Sequence, residues 1–183
     1  MKKALLLIIN LFAIQAAIAY ETVLIDFPEN QGWHSVYYET QGTEAILQYV
    51  PVGQSYENWT RTLIFHSYKN LAWTDSAAAL MDNTTSGMEA KNHTQLYRYT
   101  KYTEMDSLAT RCVDKNQFIP TQCEIYRTSK SHEGLITMHY INKNVKDFKS
   151  TYDMWYEIVQ GIRIYNSYYR DDRILDKATT FEL

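Results

Sequence analysis

Proline and glycine are scarce in this chain, at three and six of 183 residues. That scarcity, set beside sixteen tyrosines, argues against a disordered or low-complexity polypeptide. No run of basic residues occurs and the formal net charge is −3, so nothing offers nucleic acid the phosphate contacts on which its binding depends. Cysteine is limited to Cys112 and Cys123, too far apart for the CxxC spacing of redox pairs and zinc sites. The five histidines (34, 66, 93, 132 and 139) form no HxH, HExxH or Cys/His pairing. GxSxG, P-loop and GxGxxG motifs are also missing, which removes the sequence signatures of α/β-hydrolases, nucleotide binders and dinucleotide enzymes. No catalytic, metal-binding or cofactor-binding residue is therefore assigned, and no cofactor is expected.

One long apolar run exists, and it opens the chain. Lys2 and Lys3 precede a stretch from Ala4 to Ile18 interrupted only by Asn10 and Gln15, and the run closes on Ala17-Ile18-Ala19. A short positive segment, an apolar segment and a small-x-small site are the parts of a cleavable secretory signal, with the cut expected between Ala19 and Tyr20. A bilayer span needs about 20 apolar residues, more than this run supplies. No cysteine stands at the cut to carry a lipid, and no stable membrane insertion is expected after cleavage. The compact two-lysine start fits bacterial export, to the periplasm or beyond it. Residues 20–183 then form a single domain, more acidic than the whole chain because Lys2 and Lys3 are removed.

Export places Cys112 and Cys123 where thiols oxidise, and their even count predicts one disulfide. Asp114, Asn116 and Pro120 between them suit a turn, so the bridge is expected to staple a hairpin. Alternating apolar and aromatic residues predict strands at Trp33–Thr40, Thr43–Val50, Arg61–Tyr68, Gln95–Thr103, Ser107–Val113, Gln122–Ser129 and Gly134–Asn142. The last four, joined by short connections, read as an antiparallel meander. Gln54–Thr60 reads as a short helix starting near Ser55, and Thr74–Asn92 as a helix capped by Thr74 or Asp75. From Lys146 to about Tyr169, Phe148, Tyr152, Trp155, Val159 and Ile162 recur at helical spacing, which predicts a long C-terminal helix with Gly161 inside it, close to a packing partner. The fold class expected is α+β: a mostly antiparallel sheet of about six or seven strands, packed by this helix and one or two shorter ones.

Several local groupings invite chemistry and have plainer explanations. Ser131-His132-Glu133 lists suggestive residue types side by side, but the members of a catalytic triad converge from separate elements, so a polar turn is expected. Asp171-Asp172 falls at a helix end or tail. Asn58-Trp59-Thr60, Asn83-Thr84-Thr85 and Asn92-His93-Thr94 match the glycosylation sequon, which carries weight only in a eukaryotic chain. The tyrosines suit strands of a half-wet sheet, where an apolar ring with a polar tip fits.

The run Ala45 to Thr60, AILQYVPVGQSYENWT, resembles a segment of small exported proteobacterial proteins in which a strand is followed by Pro-x-Gly-x-x-x-Glu-Asn-Trp-Thr. Cys123-Glu124-Ile125-Tyr126-Arg127 and Gly134 to Tyr140 are similar to a second block of theirs. The resemblance implies export and an α+β fold and transfers no catalytic residue. Two functions follow as expectations. The first is a non-catalytic exported binding or interaction protein whose partner is a protein or an envelope or host component, recognisable by an exposed patch of aromatic residues and disfavoured by scattered single ones. The alternative is a small hydrolase of an envelope or host polymer, recognisable by a cleft holding His132 or His139 against a carboxylate or nucleophile.

Overall fold

The computed structural model describes residues 21–28, 32–71, 75–92, 96–115, 119–166 and 179–182. The expected cleavage point at Ala19–Tyr20 and the Asp171-Asp172 pair lie outside them. In chain order the elements are β1 (Glu21–Ile25), β2 (Trp33–Gln41), β3 (Glu44–Pro51), β4 (Arg61–Lys69), α1 (Ala77–Asn92), β5 (Leu96–Tyr102), β6 (Asp106–Val113), β7 (Gln122–Lys130), β8 (Gly134–Asn142), α2 (Val145–Gly161), β9 (Arg163–Asn166) and β10 (Thr179–Glu182).

Seven strands form one antiparallel sheet in the order β2-β3-β4-β8-β7-β6-β5. It consists of two meanders, β2–β3–β4 and β5–β6–β7–β8, that meet where β4 pairs with β8. A helix follows each meander, and the two helices lie on opposite faces. Through Trp155, Phe148 and Val159, α2 packs on the face that carries Phe65, Ile125, Met138 and Tyr140. The rings of Trp155 and Tyr140 stack with centroids 4.0 Å apart. A smaller antiparallel sheet, β10-β1-β9, adds Val23 and Ile25 to that core. On the other face, α1 places Met81 against Ala109 and Tyr126. The architecture is α+β and mostly sheet, as the alternation of the strands indicated.

Local chemistry explains the turns. Gly42, at φ +61°, joins β2 to β3 in a left-handed backbone conformation that other residues rarely adopt. Gly53, at φ +88°, is the third residue of a turn closed by Gln54 N–H donating to the Pro51 carbonyl at 3.0 Å.

Three helix expectations need correction. Gln54–Thr60 is not helical: Ser55 and Asn58 exchange backbone hydrogen bonds at 3.2 Å, and the Gln54 side chain accepts from Thr60 N–H at 2.7 Å and donates to its hydroxyl at 3.0 Å. Side chains here take backbone groups that a helix would have used. Trp59 rests under Lys143, whose ammonium lies 3.4 Å from the ring centroid and donates to the Trp59 carbonyl at 3.0 Å. The second correction concerns the cap of α1: Thr74 lies outside the described residues, and in place of Asp75 it is Ser76 whose hydroxyl accepts from Ala79 N–H at 3.0 Å. The third concerns α2, which stops at Gly161 and does not run to Tyr169. Asn144 caps its start by accepting from Asp147 N–H, and Ile162 turns extended. At its end Arg127 donates to the carbonyls of Val159, Gln160 and Ile162 at 2.8–3.0 Å, satisfying groups the helix leaves unpaired. Gly161 sits at that terminus, where a Cβ would meet nothing within 4 Å, so close packing is not its role.

Candidate functional site

Cys112 and Cys123 are joined, with Cα atoms 4.0 Å apart, and they face each other across β6 and β7. This pairing fixes the register of the hairpin. One step from each cysteine, Arg111 faces Glu124, and because neighbours on a strand point to opposite faces, this second pair lies on the side away from α2. Here the Arg111 guanidinium donates Nε–H to Glu124 Oε1, with side chains only 1% and 7% exposed. An ion pair this deep gains little over apolar packing, but losing one partner strands the other charge.

The next strand adds His139. Its Nδ1 lies 3.1 Å from the remaining carboxylate oxygen, Glu124 Oε2, and its ring stacks on Tyr126, its cross-strand neighbour, with centroids 4.1 Å apart. Tyr126 is the partition of this face. Its hydroxyl donates to Thr84 of α1 at 3.2 Å, and the Arg111 guanidinium sits 5.4 Å from its ring centroid. Beyond this partition α1 covers the sheet. Before it lies a partly open pocket of about 240 Å³, lined by Ile46, Ile64, Ile119, Ile141 and Val113 together with His66, Arg111, Gln122, Glu124 and His139. Ile119 belongs to the connection that the disulfide closes.

Burial pushes the His139 imidazole down to about 3, and the Arg111 cation adds to the effect. The ring is therefore neutral near pH 7. Glu124 is held as a carboxylate by Arg111, so the proton in the Nδ1–Oε2 hydrogen bond belongs to His139. That tautomer leaves Nε2 with a lone pair. His66 lies across β4 and is differently committed: Tyr68 O–H donates to its Nδ1 at 2.8 Å, and its Nε2–H donates to Glu44 at 2.9 Å. Burial lowers the His66 pKa, and the nearby His139 adds to this, against an upward pull from Glu44. Among the described residues no group of three or more His, Cys, Asp or Glu is placed to hold a metal.

Of the residues the sequence singled out, Cys112 and Cys123 are bonded as expected. His132 is exposed in a turn where Ser131 accepts from Gly134 N–H at 2.9 Å and Glu133 pairs with Lys69 at 3.6 Å. Ser131 thus serves the turn and Glu133 faces a strand lysine, while His132 points into solvent away from the pocket's lining. His139 does meet a carboxylate in a cleft, in a constellation with Arg111, Glu124 and Tyr126 that sequence inspection missed. A usable signal was present: once Cys112 is bonded to Cys123 across an antiparallel hairpin, the flanking Arg111 and Glu124 must face each other. Among the described residues the exposed tyrosines do not form the single patch expected of an interaction surface. Tyr38 and Tyr56 lie by the β2 edge, whereas Tyr99 and Tyr102, both donating to Asp82, lie by the β5 edge at the far side of the sheet. Comparisons with protein-family models, curated proteins and solved structures find no match to this chain.

Proposed function

We propose that this chain is an exported, non-catalytic binding protein that takes a small amphipathic ligand in the pocket on the uncovered part of the sheet. The observation that carries the reading is the lining: four isoleucines and a valine over a floor with one hydrogen-bonded ion pair and one oriented imidazole. Ligand sites have this composition, an apolar wall with a few fixed polar groups. At about 240 Å³ the space is below that of drug-sized pockets. An apolar cavity of roughly 150 Å³ accepts benzene, so a substituted ring or a short branched chain fits the scale. The apolar run ending at Ala19 supports export, and the disulfide is compatible with an oxidising compartment. The ligand is then a molecule of the envelope, the medium or a host.

The hydrolase alternative draws on one observation, the contact between His139 and Glu124. Three features count against it. An imidazole held near 3 is a weak base at neutral pH, far from the pKa that general-base catalysis favours. Glu124 is committed to Arg111. Among the described residues, no Ser, Thr or Cys side chain is hydrogen-bonded to His139.

A screen of single-ring and short-chain amphipaths by ligand-observed NMR tests the reading. Hits should compete with one another and disappear in Ile64→Trp, which fills the pocket, while its melting temperature stays near the parent value. Failure of every such compound to bind the folded protein at millimolar concentration would overturn it. Turnover of ester or glycoside probes that vanishes in His139→Ala would favour the hydrolase.

A further inference from the structure

The pocket has an acceptor and no available acid, which restricts what it can hold. We propose that the ligand is uncharged, donates one O–H or N–H to His139 Nε2, and lays an apolar ring or short branched chain against Ile46, Ile64, Ile119 and Ile141. This rests on the reading of the pocket as a binding site and adds the chemistry of the ligand.

The ligand type follows from where the protons are. Arg111 occupies Glu124 Oε1 and keeps that carboxylate ionised, so in the 3.1 Å contact with Oε2 it is His139 Nδ1 that carries the hydrogen. The neutral ring then presents Nε2 as an acceptor, and stacking on Tyr126 fixes the plane in which its lone pair points. His66 cannot play this part, because both its nitrogens are engaged by Tyr68 and Glu44. Gln122, whose amide both donates and accepts, is the remaining uncharged polar residue of the lining.

Charge is excluded by the same inventory. Arg111 is paired with Glu124 through Nε–H and its two terminal nitrogens are shielded from solvent, while Glu44 stands behind His66. An anion entering the pocket would lose hydration and meet a lone pair beside an ion pair of no net charge. A cation would meet a carboxylate whose charge is already neutralised. A hydroxyl or ring N–H loses little hydration and gains one hydrogen bond, while its hydrocarbon body leaves water for the isoleucines.

Three probes of one shape separate the possibilities: 4-methylphenol, toluene and 4-methylbenzoate, titrated into the disulfide-bonded, ¹⁵N-labelled protein at pH 7. With 4-methylphenol, the amides of Ile64, Glu124, His139 and Ile141 should shift, and the His139 ¹⁵Nε2 resonance should move toward its hydrogen-bonded value. Toluene should bind the same amides about tenfold more weakly, the factor set by one hydrogen bond, and 4-methylbenzoate more weakly again. In His139→Phe, which retains an aromatic partner for Tyr126, 4-methylphenol should fall to the affinity of toluene while toluene is unchanged. Equal binding of toluene and 4-methylphenol at these amides would defeat the donor requirement and leave the pocket reading standing. Tightest binding by 4-methylbenzoate would overturn the proposal in favour of Arg111 as an anion anchor. No shift at these amides with any probe would remove the pocket reading and this inference with it. The titrations of the unsubstituted protein decide among these outcomes even if His139→Phe fails to fold.

Discussion

Arg111, Glu124 and His139 form a short chain of charge and proton whose members depend on one another. Removing the carboxylate leaves a guanidinium almost wholly shielded from water. Glu124→Ala should therefore destabilise the fold by about 3–5 kcal/mol in urea titration, whereas Arg111→Met combined with Glu124→Leu should be close to neutral. A pair whose double replacement is neutral adds little net stability, and under the proposed function its part is to orient His139. The imidazole itself makes stability depend on pH. It titrates near 6.5 when unfolded and near 3 in the fold, so between these values the unfolded chain binds a proton that the folded chain refuses. Stability contributed by the neutral ring is complete above pH 6.5 and declines as pH falls toward 3, by at most about 1.4 kcal/mol per unit. Urea titrations of the parent and His139→Phe at pH 7.5, 6.0 and 5.0 should diverge in this direction. Parallel curves would show that the ring is not desolvated. The facing of Arg111 and Glu124 follows from the cysteine pairing, but His139 was not legible, because only the register of a third strand brings it to them.

At the scale of the element, sequence periodicity identified the seven strands of the large sheet to within a residue or two, and it failed at helix ends. The apolar stripe through Phe148, Trp155 and Val159 marked the buried side of α2 but ran on to Ile162, one residue past its end. That stop comes from Arg127 on a strand, through three carbonyls that no local pattern encodes. The same guanidinium donates to Asp106 at 2.9 Å, and Asp106 also accepts from Lys101 at 2.6 Å and Ser129 at 2.7 Å. Burial would raise the Asp106 pKa, but these donors outweigh it and hold the carboxyl below its ordinary value. Arg127→Ala should cost about 2–3 kcal/mol and raise amide exchange in the last turn of α2. Arg127→Lys should recover only part of this, because an ammonium cannot fork between Asp106 and the helix end. Gln54–Thr60 failed for the opposite reason. Its residues allowed a helix, but the Gln54 side chain supplied nearer partners for the backbone.

Over the whole molecule, two meanders are locked together at β4 and β8, and the lock tolerates little change. A Cβ on Gly134 would lie 1.9 Å from the Tyr68 carbonyl oxygen, so even alanine would have to push these central strands apart. The disulfide acts at a different place, on the hairpin that carries Arg111, Glu124 and the Ile119 wall of the pocket. Closing a loop between residues eleven apart restricts the unfolded chain by about 2–3 kcal/mol in the chain-entropy model. Replacing both cysteines by alanine should therefore lower the urea midpoint by that equivalent while the far-ultraviolet dichroism of the sheet is retained, since six strand pairings hold the large sheet together. A loss under about 0.5 kcal/mol would mean that the hairpin is already formed in the unfolded ensemble and the bond adds no restriction. A loss of the stated size links location to function: a chain left in a reducing compartment would keep its sheet but be less stable by this amount, with the bridge missing beside its pocket. Under the proposed function, export and oxidation would then strengthen the wall of the pocket before a ligand enters it.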